Sequence, residues 1–174
     1  MKKLLLAVLF AAIGNAQATV FDFSMSRGTD VVSGSFEGTA KGNLISDLSK
    51  ISVAVNGVAI ERSGDLFAAQ LVPTSYGVQW TAGAVASFDG TENNFLFINS
   101  DYLKGDYNFN AYLYSISWYG ASLAQANSSF VSMNGSPVSY GWQVAAVNDV
   151  PEPASLALIG LGMAALGAMR RRKN

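Results

Sequence analysis

The chain has 174 residues, half of them hydrophobic, with eleven basic and twelve acidic side chains and neither histidine nor cysteine. Without histidine there is no imidazole base, triad or metal ligand; without cysteine there is no disulfide framework, thiolate nucleophile, zinc knuckle or iron–sulfur cluster. The net charge of −1 lacks the basic excess that a nucleic-acid partner requires, so none is expected.

The first predicted element is an export signal over residues 1–18. Lys2 and Lys3 make a short positive start, and Leu4 to Ile13 follow as an apolar run without a polar face. Ala16-Gln17-Ala18 then sets small residues at the two positions a signal peptidase reads, so cleavage after Ala18 leaves Thr19 as the mature N-terminus. Ten apolar residues give about 15 Å of helix, too short to span a bilayer. The expectation is a signal helix removed by signal peptidase and a chain exported through the inner membrane.

Residues 19–149 form the body, long enough for one domain with its own core. Phe21, Phe23 and Met25 alternate with Asp22, Ser24 and Ser26, and the same period of two runs from Val32 to Lys41. Ile51 to Val55 leads through Asn56-Gly57 into Val58 to Ile60, the strongest hairpin signal in the chain. Further strands are predicted at Leu66 to Val72, Val78 to Phe88, Asn94 to Asn99, Tyr107 to Tyr119, Ser129 to Met133 and Val138 to Val147. No segment carries sustained helical periodicity or a βαβ crossover. The pattern predicts an all-β fold, an antiparallel β-sandwich of jelly-roll-like type.

Two clusters in the body are candidate sites. Asp89, Glu92 and Asn93 lie within five residues and offer the oxygen ligands calcium takes. Asp89-Gly90 and Asn93-Asn94 are equally ordinary turn chemistry, there is no Asp-x-Asp-x-Asp-Gly pattern, and the turn is the favoured reading. No cofactor is expected. The second cluster is aromatic: if Tyr107 to Tyr119 is one strand, Tyr112, Tyr114 and Trp118 share a face, a candidate platform for stacking sugar rings. Glu37, Glu61 and Glu92 are the natural glycosidase carboxylates, but no local pattern pairs two of them.

The last predicted unit spans residues 150–174. Val150-Pro151-Glu152-Pro153 is stiff and extended because two prolines remove donors and restrict the residues before them. Ala154 to Met169 contains no charge and makes a helix of about 24 Å, a modest single transmembrane helix. Arg170, Arg171, Arg172 and Lys173 follow as a basic anchor on the cytoplasmic side.

This order of Pro-Glu-Pro motif, small-residue helix and arginine cluster closely resembles the PEP-CTERM sorting signal of Gram-negative bacteria. The resemblance implies processing by an exosortase, a membrane-embedded transpeptidase-like protease, with transient membrane anchoring through the C-terminal helix before release or attachment at the cell surface. It also implies an exopolysaccharide-producing host. Tails of this type also carry an ice-binding C-terminal domain label, which is treated as inherited because the body has no regular array of threonines. The stretches Val32 to Ala40 and Ser87 to Phe97 look like segments that recur in PEP-CTERM proteins of unknown activity, and they supply no catalytic residues.

The functional expectation is an exported, non-enzymatic component of the cell surface or extracellular matrix, associated with exopolysaccharide. The alternatives are a carbohydrate-binding module using Tyr112, Tyr114 and Trp118, and a polysaccharide hydrolase or lyase.

Overall fold

The alternation that begins at Phe21 builds the first of two antiparallel sheets. The computed structural model describes residues 18–126, 129–134 and 140–147. Ala16, the expected signal helix, the 150–153 motif, the 154–169 helix and the basic anchor at 170–173 lie outside the described residues. Strands β1 (Thr19–Arg27), β2 (Asp30–Lys41), β3 (Leu44–Val55) and β4 (Val58–Ala59) follow one another as a meander. Strand β12 (Gln143–Ala146) adds to the free edge of β1, and the short β7 (Ala86–Ser87) pairs with the start of β3. Asn56 and Gly57 both take positive φ, 50° and 78°, which gives the two-residue hairpin a twist matching its strands.

The second sheet has the order β11-β10-β9-β8-β5-β6. Its strands are β5 (Phe67–Thr74), β6 (Gly77–Thr81), β8 (Asn94–Ile98), β9 (Tyr112–Ile116), β10 (Ala121–Ala126) and β11 (Ser129–Asn134). All pairings are antiparallel. One hydrophobic core unites the inner faces: Phe21, Phe23, Phe36, Ile51 and Val53 from the first sheet meet Phe95, Phe97, Leu113 and Val131 from the second. Phe97 stands 6.4 Å from Phe23 and 6.2 Å from Phe36, ring centre to ring centre across the two sheets. Each fully buried phenylalanine contributes roughly 1.5–3 kcal/mol through the water it leaves.

The two meanders, β1 to β4 and β8 to β11, correct the jelly-roll expectation, because a jelly roll requires paired Greek keys. The predicted strand from Val78 to Phe88 is two strands in different sheets. The chain leaves the second sheet after Thr81 and joins the first at Ala86, so of the three alanines there Ala84 and Ala86 are buried while Ala82 is exposed. The predicted strand from Tyr107 to Tyr119 shrinks to Tyr112–Ile116, because Ser117-Trp118-Tyr119 forms a short 3-10 turn closed by Gly120. Strand β10 was not expected. Its sequence Ala-Ser-Leu-Ala-Gln-Ala is poor in β-branched residues, and pairing on both sides holds it in the sheet, with Ser122, Ala124 and Ala126 buried.

Candidate functional site

Strands β8 and β9 turn Phe95, Phe97, Leu113 and Ser115 into the core, so period two sends Leu96, Ile98, Tyr112 and Tyr114 to the opposite face. Register completes the arrangement: Leu96 lies opposite Tyr114, Ile98 opposite Tyr112, and Ala69 of β5 opposite Leu96. These residues form a small apolar cluster on the outer face of the second sheet.

Two neighbouring segments raise walls around it. Asn94 holds the β5–β6 hairpin in place where β5 leaves β8: its Oδ1 accepts the Leu71 N–H and its Nδ2 donates to the Leu71 carbonyl, both at 2.9 Å. Trp80, opposite Leu71 on β6, is thereby set 6.5 Å from the Tyr114 ring. On the other side, residues 99–111 fold through a 3-10 turn pinned by a 2.7 Å ion pair between Lys104 and Asp101. Ser100 Oγ donates to the Asp106 carbonyl at 2.9 Å, and the Asn108 N–H donates to the Asp106 carboxylate at 3.1 Å.

The result is an unbroken series of six rings. Tyr107 meets Tyr102 at 5.0 Å, Tyr102 meets Phe109 at 6.1 Å, and Phe109 meets Tyr112 at 6.0 Å. Tyr112 and Tyr114 then lie parallel, 6.3 Å apart and 8° from coplanar orientation, and Tyr114 leads to Trp80. All but Tyr107 line an open groove of about 240 Å³ whose floor is Leu96 and Ile98. No acidic or basic side chain lines it. Partial burial, and second the neighbouring Tyr114, push the Tyr112 phenol above its ordinary pKa; burial and then Tyr119 do the same for Tyr114. Both phenols therefore stay protonated throughout the neutral range and keep a donor to offer.

Of the predicted platform, the structure brings Tyr112 and Tyr114 together and separates Trp118 from them. The strand that would have put Trp118 on their face ends at Ile116. Trp118, 49% exposed, lines a different cavity with Leu44, Val85, Thr91 and Glu92, and packs edge-on against Tyr119. Trp80, Tyr102 and Phe109 take its place in the groove. Local spacing carries no signal for this, since Trp80 arrives through the β5–β8 register and the other two through a loop.

Of the calcium candidates, Asp89 and Glu92 meet on the Asn43 amide, and Asn93 does not join them. Asp89 Oδ1 accepts from Asn43 Nδ2, the Thr91 N–H and the Thr91 hydroxyl, at 2.9, 2.9 and 2.8 Å. Asn43 Nδ2 also donates to Glu92 at 3.1 Å. These bonds, the one from Asn43 first, lower the Asp89 pKa to about 2. Asn93 is fully buried, and its Oδ1 accepts the Ser87 N–H at 2.8 Å inside the domain, away from the exposed carboxylates. The segment is a self-satisfied turn, and among the described residues no three His, Cys, Asp or Glu side chains are grouped to hold a metal. Ala18 is exposed, and Thr19 opens β1.

In comparison with known families, residues 149–173 match the PEP-CTERM protein-sorting motif. It covers Val150, Pro151, Glu152, Pro153, the uncharged run and the four cations. No curated protein and no solved structure matches the chain. The match supports an exported chain whose tail is a substrate of an exosortase, a membrane protease, with transient membrane anchoring before the surface or the exterior.

Proposed function

We propose that this protein is a non-enzymatic component of an extracellular exopolysaccharide matrix, and that its domain contacts the polysaccharide through the aromatic groove. The observation that carries this reading is the unbroken series from Tyr107 to Trp80 along an open, uncharged groove. Sugar rings present apolar C–H faces and a rim of hydroxyls. Aromatic side chains meet the faces, and Tyr hydroxyls and a Trp N–H meet the rim. A groove open to solvent admits the middle of a polymer chain, whereas an enclosed pocket selects a chain end or a small molecule.

The same lining argues against cleavage of the polymer. Glycoside hydrolysis in its common form requires two carboxyl groups flanking the bond, and no acidic residue lines the groove. Glu37 is paired with Lys50 at 2.7 Å, Glu92 with Asn43, and Glu61, in the polar pocket beside the groove, has no second carboxylate in that pocket's lining.

Affinity electrophoresis tests the proposal. Gels containing the extracellular polysaccharide of the producing cells should retard the processed protein, and Trp80→Ala or Tyr114→Ala should remove the retardation while Trp118→Ala keeps it. Absence of retardation, or its survival in both folded groove variants, sinks the reading. Release of reducing ends from that polymer would replace it with an enzymatic one.

A further inference from the structure

We infer that a polar pocket adjoining the groove binds the vicinal hydroxyls of a sugar unit in the same polysaccharide chain; the inference rests on the sugar reading of the groove. The pocket, of about 220 Å³, is lined by Glu61, Arg62, Asn99, Asn108, Phe109 and Asn110. Phe109 also lines the aromatic groove, so the two adjoin at its ring, and a chain stacked on the rings would pass over Phe109 to reach the pocket.

Asn99 decides the chemistry. It is only 6% exposed, and its Nδ2 donates to Asn110 Oδ1 at 2.7 Å. Its Oδ1 is buried and has no partner. Buried amide oxygens are nearly always bonded, because leaving one unpaired forfeits the water it had when unfolded. Asn99 belongs to the pocket lining, so a ligand that brings a donor within reach of this oxygen would satisfy it. Asn110 spends its oxygen on Asn99, which leaves its Nδ2 to donate, and Arg62 adds further donors while Glu61 adds acceptors. Adjacent sugar hydroxyls each donate and accept, so a vicinal diol matches a wall in which the two roles alternate.

The backbone beneath the wall is also held in advance. The turn carrying Glu61 and Arg62 is fixed by the Ser63 N–H to the Ile60 carbonyl at 3.1 Å, the Gly64 N–H to the Ile51 carbonyl at 2.6 Å, and the Asp65 N–H to the Arg62 carbonyl at 2.9 Å. Preorganisation of this kind limits the ordering cost of binding.

The test compares two probes: the extracellular polysaccharide of the producing cells, and the same polymer after O-methylation. Methylation keeps the rings for stacking and removes the hydroxyl donors. The unaltered protein should bind the free polymer about fivefold more tightly than the methylated one, the increment of a net hydrogen bond. Asn99→Leu should lower binding of the free polymer to the methylated level, leaving binding of the methylated polymer unchanged. Asn110→Ala, at an exposed position, should do the same and serves if Asn99→Leu fails to fold. Equal affinity for both polymers, or a difference that survives both variants, overturns the diol pocket; if Tyr114→Ala still abolishes binding, the groove reading stands. An unaltered protein that binds neither polymer overturns both.

Discussion

The ring of Phe23 lies against the backbone of Gly34, its cross-strand partner, so closely that no side chain fits between them. A methyl group at position 34 would come within 2.9 Å of the Phe23 ring and 2.0 Å of the Ser52 carbonyl. The absence of a side chain is therefore what lets Phe23 also stack on Phe36 and Trp142. Gly34→Ala is expected to destabilise the domain by about 3 kcal/mol, at the upper end for overpacking because one obstacle is backbone. Urea unfolding of the two proteins would show a lowered midpoint with an unchanged slope.

Trp142 fixes β12 from within. Its Nε1 donates to the buried Ser87 carbonyl at 2.8 Å, and its ring packs on Phe23 and Phe95. Trp142→Phe removes the donor but keeps a ring, and the Ser87 carbonyl retains the Gly90 N–H at 3.2 Å. The expected loss is therefore only about 1 kcal/mol. Trp142→Ala also removes the packing and is expected to cost roughly 3–5 kcal/mol. Thermal unfolding distinguishes the two steps.

Acid should act on the Asp89 turn. Its carboxyl pKa lies at about 2, below the ordinary 3.8, because the ionised form accepts three hydrogen bonds. A lowered folded pKa means that the contribution is complete above the unfolded value and disappears as pH falls through the folded one. The turn should therefore weaken between about pH 4 and pH 2. Carboxyl carbon NMR should show Asp89 titrating near the bottom of that window, and Asp89→Asn should remove this part of the acid dependence.

Alkali should act on the groove. Burial raises Tyr112 and Tyr114 above their ordinary 10.0. For groups raised in the fold, the contribution is complete below the ordinary value and is lost as pH climbs through the folded one. Difference absorbance on Tyr112→Phe and Tyr114→Phe should show that each removes a phenol ionising above pH 10. Polysaccharide binding should persist up to the same range and fall beyond it.

The sorting tail gives a prediction independent of the domain. In cells lacking the exosortase, the chain should accumulate in the membrane fraction with residues 149–173 intact. Replacement of Pro151-Glu152-Pro153 by alanines should reproduce that accumulation in cells that have it. Equal processing with and without the enzyme would refute the assignment.

Much of the first sheet was legible in the sequence because its signals are local. Phe21, Phe23 and Met25 alternate with polar residues, and Asn56-Gly57 names its own turn. The tail was legible for the same reason, as three features in fixed order. The groove was only half legible. Tyr112 and Tyr114 share a strand and could be paired from spacing, but Trp80 reaches them through the Asn94 side chain standing in for strand backbone. Tyr102 and Phe109 come from a loop held by an ion pair and an aspartate turn, neither of which has a period. Trp118 went the other way: alternation carried it onto the face, and a 3-10 turn took it off.

Strand β12 runs antiparallel to β1, and the Val147 N–H donates to the Val20 carbonyl at 2.8 Å, so the start of β1 and the end of β12 lie side by side at one edge of the first sheet. This arrangement sets how the domain carries tension. If the tail holds the protein to a membrane while a polysaccharide drags on the groove, the pull enters at Val147, and its component along β12 falls on the pairing with β1. The hydrogen bonds to β1 are then loaded in shear, all together, with no peeling from one end. The buried Trp142 lies just before β12, at the end away from the pull, and acts as a stop against sliding. A strand of only four residues would thereby become the strain-bearing link between the tail and the groove.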